Sequence, residues 1–477
     1  MERVTTGRTG ACVLVAMIAL GACRDRASVK KDPTPAASID AGAKLHAQPL
    51  WSKLISGDED HLPLGVAADP AGNVVVVGRF AGELAPGVAS RGSSDAFAVA
   101  LAADGQRRWA RALGGFSWDE ANAVAIASNG STIVGGHVTG SADFGTGSLG
   151  AGFDQAPFVV SLDVDGKTEW ARLLSGDGEV DGLALAPSGE LALAGRALVR
   201  GVCKGNADVV AARLKPNGDV AWSTCMDSNG YGNAERVVVD RKGDVIVCGV
   251  FRLRLVLGGV VYAAQEADFL HVAGAPNQVF VAKLAGATGV PIWVRAGAGG
   301  DAACRALAVD ADGAIAIGGY YVDALAFDDR KLPAFGFRDG FVIVFEEGGA
   351  PRPSAAIADA RYGDSVGGLV FAERGEILVA GVAGKSASLG AFSAPTDGAY
   401  VAAFGRNGGL RWSHRFEGGT LTPIGLARSD RGLLTLAGDL FSTSEGASIN
   451  LGGDALIAHA VDGGGTRFDV FVARLSP

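Results

Sequence analysis

Seven times along the chain an apolar run closes on a glycine: Gly78, Gly136, Gly195, Gly249, Gly319, Gly381 and Gly438. After each a second apolar run opens, at Phe97, Phe158, Val210, Phe280, Phe341, Tyr400 and Phe471. Neighbouring glycines lie 54 to 70 residues apart. A self-similar period of this kind marks a repeat architecture, because one unit cannot bury both faces of its own sheet and has to stack on copies of itself.

The first unit resolves into four short strands, Gly65 to Asp69, Val74 to Gly78, Phe97 to Leu101 and Trp109 to Leu113. Between the last two stands a hairpin dipeptide, Asp104-Gly105, matched by Asp165-Gly166 and Asn217-Gly218; such turns need φ > 0 at their centre. A tryptophan follows the turn glycine by four residues at Trp109, Trp170, Trp222, Trp293 and Trp412. The unit built on Gly319 lacks it; there Gly348-Gly349 is followed by APRPSAAI, which puts Arg352 or Pro353 in that place. Trp51 opens WSKLISG, a fourth strand with no unit before it, while the chain ends in DVFVARLSP, a third strand with nothing after it.

These two orphans complete each other if the units stack radially. The expected fold is therefore all-β: a seven-bladed β-propeller with four-stranded blades, its ring closed by the N-terminal strand joining the C-terminal blade. An open β-solenoid is the alternative, and it leaves the matching half-units unexplained. Runs such as VVVV at 74–77 lack alternation, as strands buried on both faces do. With 72 glycines, 3 methionines and 19% charged residues, the composition suits short strands and tight turns rather than long helices.

The pattern D-x-x-G-N-V from Asp69 to Val74, followed by V-x-G, D-x-F-V, D-G and W, resembles the bacterial SBBP-type β-propeller repeat over roughly residues 51–477. That resemblance implies an exported or surface protein, and the repeat brings no shared catalytic residues. The N-terminus agrees: Arg3 and Arg8 precede an apolar stretch from Ala11 to Leu20, too short to span a bilayer. Leu20-Gly21-Ala22-Cys23 resembles a bacterial lipoprotein signal, which implies loss of residues 1–22 and a diacylglycerol on Cys23; Arg24, rather than Asp, then points to the outer membrane. An ordinary secretory signal with an incidental Cys23 is the other reading, and either one exports the chain. Residues 23–50 are polar, carry DPTP and read as a flexible tether, leaving 51–477 for the propeller.

Export places Cys203, Cys225, Cys248 and Cys304 in an oxidising compartment, where four cysteines suggest two disulfides with three possible connectivities. Placement on the blades, with Cys304 in an inter-blade loop, selects Cys203 with Cys225 and Cys248 with Cys304. A zinc site is disfavoured because no C-x-x-C or histidine pair accompanies them. The net charge of −9 and the lack of a basic stripe argue against nucleic acid.

Candidate chemistry is sparse. Loops leading into the inner strands carry Asp119, Asp181, Asp301 and Asp364, with Asn233 in the fourth unit; a carboxylate ring for a cation competes with the plainer reading that each acid caps its own turn. Asp163-Val-Asp165-Gly166 and Asp310-Ala-Asp312-Gly313 echo the start of a calcium loop but lack its closing carboxylate. His46, His61, His137, His271, His414 and His459 are scattered, and His61, beside Asp58, Glu59 and Asp60, reads as part of a solvated acidic loop. The long connection from Phe251 to Gln278 reads as an extra hairpin.

The expectation is a membrane-tethered binding or scaffolding module at the cell envelope, without catalytic residues, metal or cofactor. Its ligand would be a protein or glycan, and it would meet the membrane through the lipid on Cys23. Two alternatives stand beside it. Thr288-Gly289-Val-Pro-Ile-Trp293 resembles the end of a quinoprotein docking motif, although Ala285 stands where that motif has Asp, and would imply an oxidoreductase. The lipobox with a propeller is also similar to an outer-membrane protein assembly factor.

Overall fold

Each apolar run of the repeat is a β-strand, and the strands of a unit pair antiparallel in chain order. The first unit comprises His61–Ala68, Val74–Phe80, Asp95–Leu101 and Arg107–Gly115. Five more four-stranded groups begin at Glu120–Ile126, Glu179–Leu185, Gly232–Val239, Ala302–Val309 and Ser365–Phe371. Contrary to the expectation of separate four-stranded sheets, the first two groups join into one eight-stranded sheet, because Gly114 and Gly115 pair with Asp143 and Ala142. The last sheet orders Thr420–Arg428, Leu434–Ser442 and Arg467–Leu475 and then takes Pro49–Ile55 as its outer strand. Trp51 pairs with Arg474 and Leu54 with Phe471, so the two incomplete ends share one sheet.

These features come from a computed structural model that describes residues 47–203, 208–228, 232–263, 276–332, 336, 338–352, 355–357, 363–384, 388–389, 392–393, 398–416, 420–442, 447–449, 451, 455–458 and 467–476. They lie in the compact unit Leu45–Pro477, separate from Met1–Lys44. The export signal, Cys23 and most of the tether fall outside the described residues. Among the described residues, no helix is long and apolar enough to cross a membrane.

The strands run longer than their apolar cores. Val74 to Gly78 continues to Phe80, and the inner strand starts at His61 rather than Gly65, because backbone pairing carries on to the buried pair His61 and Phe80. In the group that lacks the tryptophan, the outer strand is Ala355–Ile357 instead of starting at Arg352 or Pro353. Pro351 makes only an isolated bridge to Phe345, in keeping with prolines that cannot donate to the ladder.

Packing explains the missing alternation. Val75 and Val77 enter a cluster with Val134, Phe158 and Val160 of the second group, whereas Val74 and Val76 pack with Ala437, Val470 and Val472 of the last sheet. One strand thus feeds two cores through the two faces of its pleat. At about 1.5–3 kcal/mol for each fully buried aliphatic side chain, these seams hold neighbouring groups together.

The D-G-x-x-x-W signature builds a second contact between groups. The indole N–H of Trp51 donates to the Ala103 carbonyl at 2.9 Å, Trp109 to Val164 at 3.1 Å, Trp222 to Gly286 at 2.8 Å and Trp293 to Glu347 at 2.9 Å. In each case the acceptor lies in the hairpin turn of the following group. The turn glycine needs both its positive φ and its missing side chain: Gly289 has φ +70°, and a Cβ there would lie 2.5 Å from the Trp222 ring. Trp51 makes this contact to the first group from the last sheet, with Gly105 as its glycine.

Candidate binding site at the channel mouth

Every inner strand breaks register once, and always at the same place. The shifts fall between Pro63 and Gly65, Ala121 and Ala123, Val180 and Gly182, Ala234 and Arg236, Cys304 and Ala306, Val366 and Gly368, and Pro423 and Gly425. Each is a β-bulge with one unpaired residue: Leu64, Asn122, Asp181, Glu235, Arg305, Gly367 and Ile424. Bulges re-aim side chains and recur beside functional sites. All of these residues except Glu235 line a central cavity of about 170 Å³ to which all seven inner strands contribute.

The bulge also accounts for the repeating glycine. It turns an inner-strand carbonyl onto the second strand, where a Cβ at Gly78 would meet the Leu62 oxygen at 1.9 Å. The same holds for Gly136 with Glu120, Gly319 with Ala303 and Gly381 with Ser365, each at 1.9 Å. The seven glycines of the sequence are therefore the outward trace of seven bulges, six of whose residues line the cavity.

Carboxylates near the mouth come from three neighbouring groups and are met by arginines. Glu120, Glu179, Asp181 and Glu235 come from the second to fourth groups. Glu120 takes Arg79 at 3.1 Å and Glu179 takes Arg196 at 2.9 Å, with the His137 Nδ1 3.5 Å from Glu179. Burial pushes the Asp181 carboxyl well above the usual range and lowers His137. Burial also raises Glu235, although the nearby Arg305 and Arg236 guanidiniums and the Cys304 backbone N–H pull it back.

A cavity of about 260 Å³ adjoins the channel, lined by Arg236, Arg305, Arg338 and Tyr320 together with Ser365, Thr422 and apolar residues. Arg338 lies over Tyr320, its Cζ 4.7 Å from the ring centroid. At the rim Trp118 is 44% exposed, with the Arg79 guanidinium 4.5 Å from its ring centroid and its indole N–H donating to Glu120 at 3.0 Å. Phe116, two residues earlier, is 85% exposed.

The acids singled out from the sequence do not converge. Asp119 is buried and accepts backbone N–H bonds from Gly115 at 2.6 Å and Thr139 at 2.9 Å. Asp301 accepts from Asn277 at 3.0 Å and Asp364 from Gly384 at 2.6 Å. Rather than capping only their own turns, these acids tie together segments 20 to 24 residues apart. Asp181 and Asn233 sit inside strands rather than in the preceding loops, and only Asp181 lines the central cavity. Asp163 and Asp310 cap their turns: Asp163 accepts from Asp165 and Lys167, and Asp310 from Asp312 and Ala314.

His61 is buried in the first group, stacked on Phe80 at 6.0 Å, rather than in a solvated loop. His137 and His414 lie in the second and sixth groups, and His46, His271 and His459 fall outside the described residues. Gly289 and Trp293 of the quinoprotein-like stretch serve the turn contact described above. The connection after Phe251 forms a hairpin, Arg254–Leu257 with Val260–Ala263.

Cys203 and Cys225 are joined with Cα atoms 5.3 Å apart, and Cys248 and Cys304 with Cα atoms 6.1 Å apart. Cys304 sits on the inner strand Ala302–Val309, not in the loop before it, so this bond staples the fourth group to the fifth. An Asp208 oxygen lies near the first pair, but bonded sulfurs offer no thiolate to a metal.

No protein-family model matches the chain, and no curated protein matches it. Similar solved structures include the Pan2 WD40 domain of Neurospora crassa, at 10% identity and TM-score 0.44, covering 86% of this chain and 89% of that one. Sqt1 from Chaetomium thermophilum is 13% identical with TM-score 0.41, covering 82% and 96%. BamB from Moraxella catarrhalis is 13% identical with TM-score 0.38, covering 90% and 97%.

Proposed function

We propose that the chain is a closed seven-bladed β-propeller that serves as a non-catalytic binding or scaffolding module, held at the cell envelope by a lipid on Cys23. The observation that carries this reading is the set of seven register-matched bulges, six of whose residues line one cavity. Such an arrangement suits recognition: a rigid ring, a mouth with carboxylates and arginines, and exposed aromatic side chains at its rim. Ring closure is supported by the pairing of Pro49–Ile55 with Arg467–Leu475 and by the Trp51 contact to Ala103. The partner would be a protein or glycan, and no cofactor is invoked.

The test is affinity isolation from envelope extracts with the full chain and with variants whose loop 114–119 is replaced by a Gly-Ser linker. A protein or glycan retained by the native chain and lost from the loop variant supports the reading. Equal retention by both, or none by either, counts against it. Metabolic labelling with a fatty acid that is lost on Cys23→Ala tests the tether.

A further inference from the structure

The cavity beside the channel mouth has an unusual lining for a chain of net charge −9: three arginines and no carboxylate. Arg236 and Arg305 reach it from adjoining inner strands, Arg305 because it is the bulge residue of its strand. Arg338 comes from the segment just before the strand Asp339–Phe345, and its backbone is pinned by the Asp364 N–H at 2.9 Å.

Their charges are only partly met by the protein. The nearest approach of Arg305 to Glu235 is 3.9 Å, beyond hydrogen-bonding distance, and one Arg236 nitrogen donates to the Glu235 carbonyl at 2.7 Å. The Nε of Arg338 is buried with no hydrogen-bond partner among the described residues, and its Cζ lies over the Tyr320 ring. The Ser365 side chain adds a hydroxyl to the same lining. A buried guanidinium is costly unless its remaining N–H groups find acceptors. Guanidinium forks match planar or tetrahedral oxyanions.

We infer that this cavity is an oxyanion site, taking a carboxylate or phosphate group of the ligand through Arg236, Arg305 and Arg338. The inference deepens the binding reading above by naming the chemistry of what enters the mouth.

The test is calorimetric titration of the full chain with inorganic phosphate and with succinate at low ionic strength. Each variant is first checked by its unfolding midpoint. Saturable binding of either anion is expected, weakened about tenfold or more by Arg305→Gln and by Arg338→Gln, as loss of a charge-assisted hydrogen bond implies. Arg200→Gln, which breaks an exposed pair with Asp177 elsewhere, should leave it unchanged. Should Arg338→Gln fail to fold, Arg305→Gln decides alone, since the Arg305 side chain is half exposed. Phosphate without succinate identifies a phosphate ligand, and the reverse a carboxylate; both support the site. Failure of a folded native chain to bind either anion, or binding that neither substitution weakens, overturns it. A partner retained through loop 114–119 without any anion binding would sink this inference alone and leave the binding module standing.

Discussion

Replacing Gly319 by alanine asks whether the repeating glycine is there for the bulge. A Cβ at that position would stand 1.9 Å from the Ala303 carbonyl oxygen, 3.0 Å from its carbon and 3.2 Å from the Arg305 nitrogen. An ordinary C···O approach is about 3.3 Å or more, so a backbone oxygen has to retreat by more than an ångström. That oxygen belongs to a bulge flanked by paired residues, Cys304 with Gly319 and Ala306 with Gly318, and cannot swing aside as a side-chain tip would. The cost should lie at the upper end of the range for overpacking, about 3 kcal/mol. Urea unfolding reads it as a lowered midpoint at unchanged slope. Gly348→Ala is the control, because nothing lies within 4 Å of a Cβ there; its effect should stay within about 0.5 kcal/mol. If Gly319→Ala and Gly136→Ala each cost less than the control range, the bulges do not dictate the glycines.

Three further outcomes follow from the same geometry. Burial pushes the Asp119 carboxyl up to about 6, so its contribution to stability is full below the unfolded value of 3.8 and is lost as pH rises through about 6. Relative to Asp119→Asn, the native chain should gain about 1–2 kcal/mol between pH 7 and pH 5, read from urea midpoints; a constant difference would refute this. Trp222→Phe gives up the indole bond to Gly286 and should cost about 0.5–1.5 kcal/mol. Gly289→Ala, which meets both the positive φ and the Trp222 ring, should cost more; the reverse order of melting points would remove the turn contact from the account. Replacing Cys248 and Cys304 by serine opens a crosslink spanning 56 residues and should lower stability by about 4 kcal/mol, against about 3 kcal/mol for the pair 22 residues apart.

The all-β architecture could be read from the sequence because its signals are local and repeated. Gly105, Gly166 and Gly218 follow Asp or Asn in turns that need positive φ, and each apolar run between such turns can only be a strand. The mouth was harder to see. Leu64, Asn122, Asp181, Glu235, Arg305, Gly367 and Ile424 share no residue type, since each is free to vary once the bulge has aimed it. What stays fixed is the glycine opposite, and the sequence shows it at seven equivalent positions without showing why. The acids drew attention instead because they stand out in composition, yet Asp119, Asp301 and Asp364 spend their oxygens on nearby backbone N–H groups. Arg338 was invisible as a site residue, because its place beside Arg236 and Arg305 depends on the packing of neighbouring blades.

Everything proposed for the mouth rests on the ring being closed by Pro49–Ile55. Hydrogen exchange of the full chain, followed by mass spectrometry of peptides covering 49–55 and 467–475, measures that directly. Closure requires the two segments to be protected together, at the level of the inner strands, and Trp51→Ala to expose both in step. Exchange of 49–55 at the rate of a free chain end, with 467–475 still protected, would contradict it.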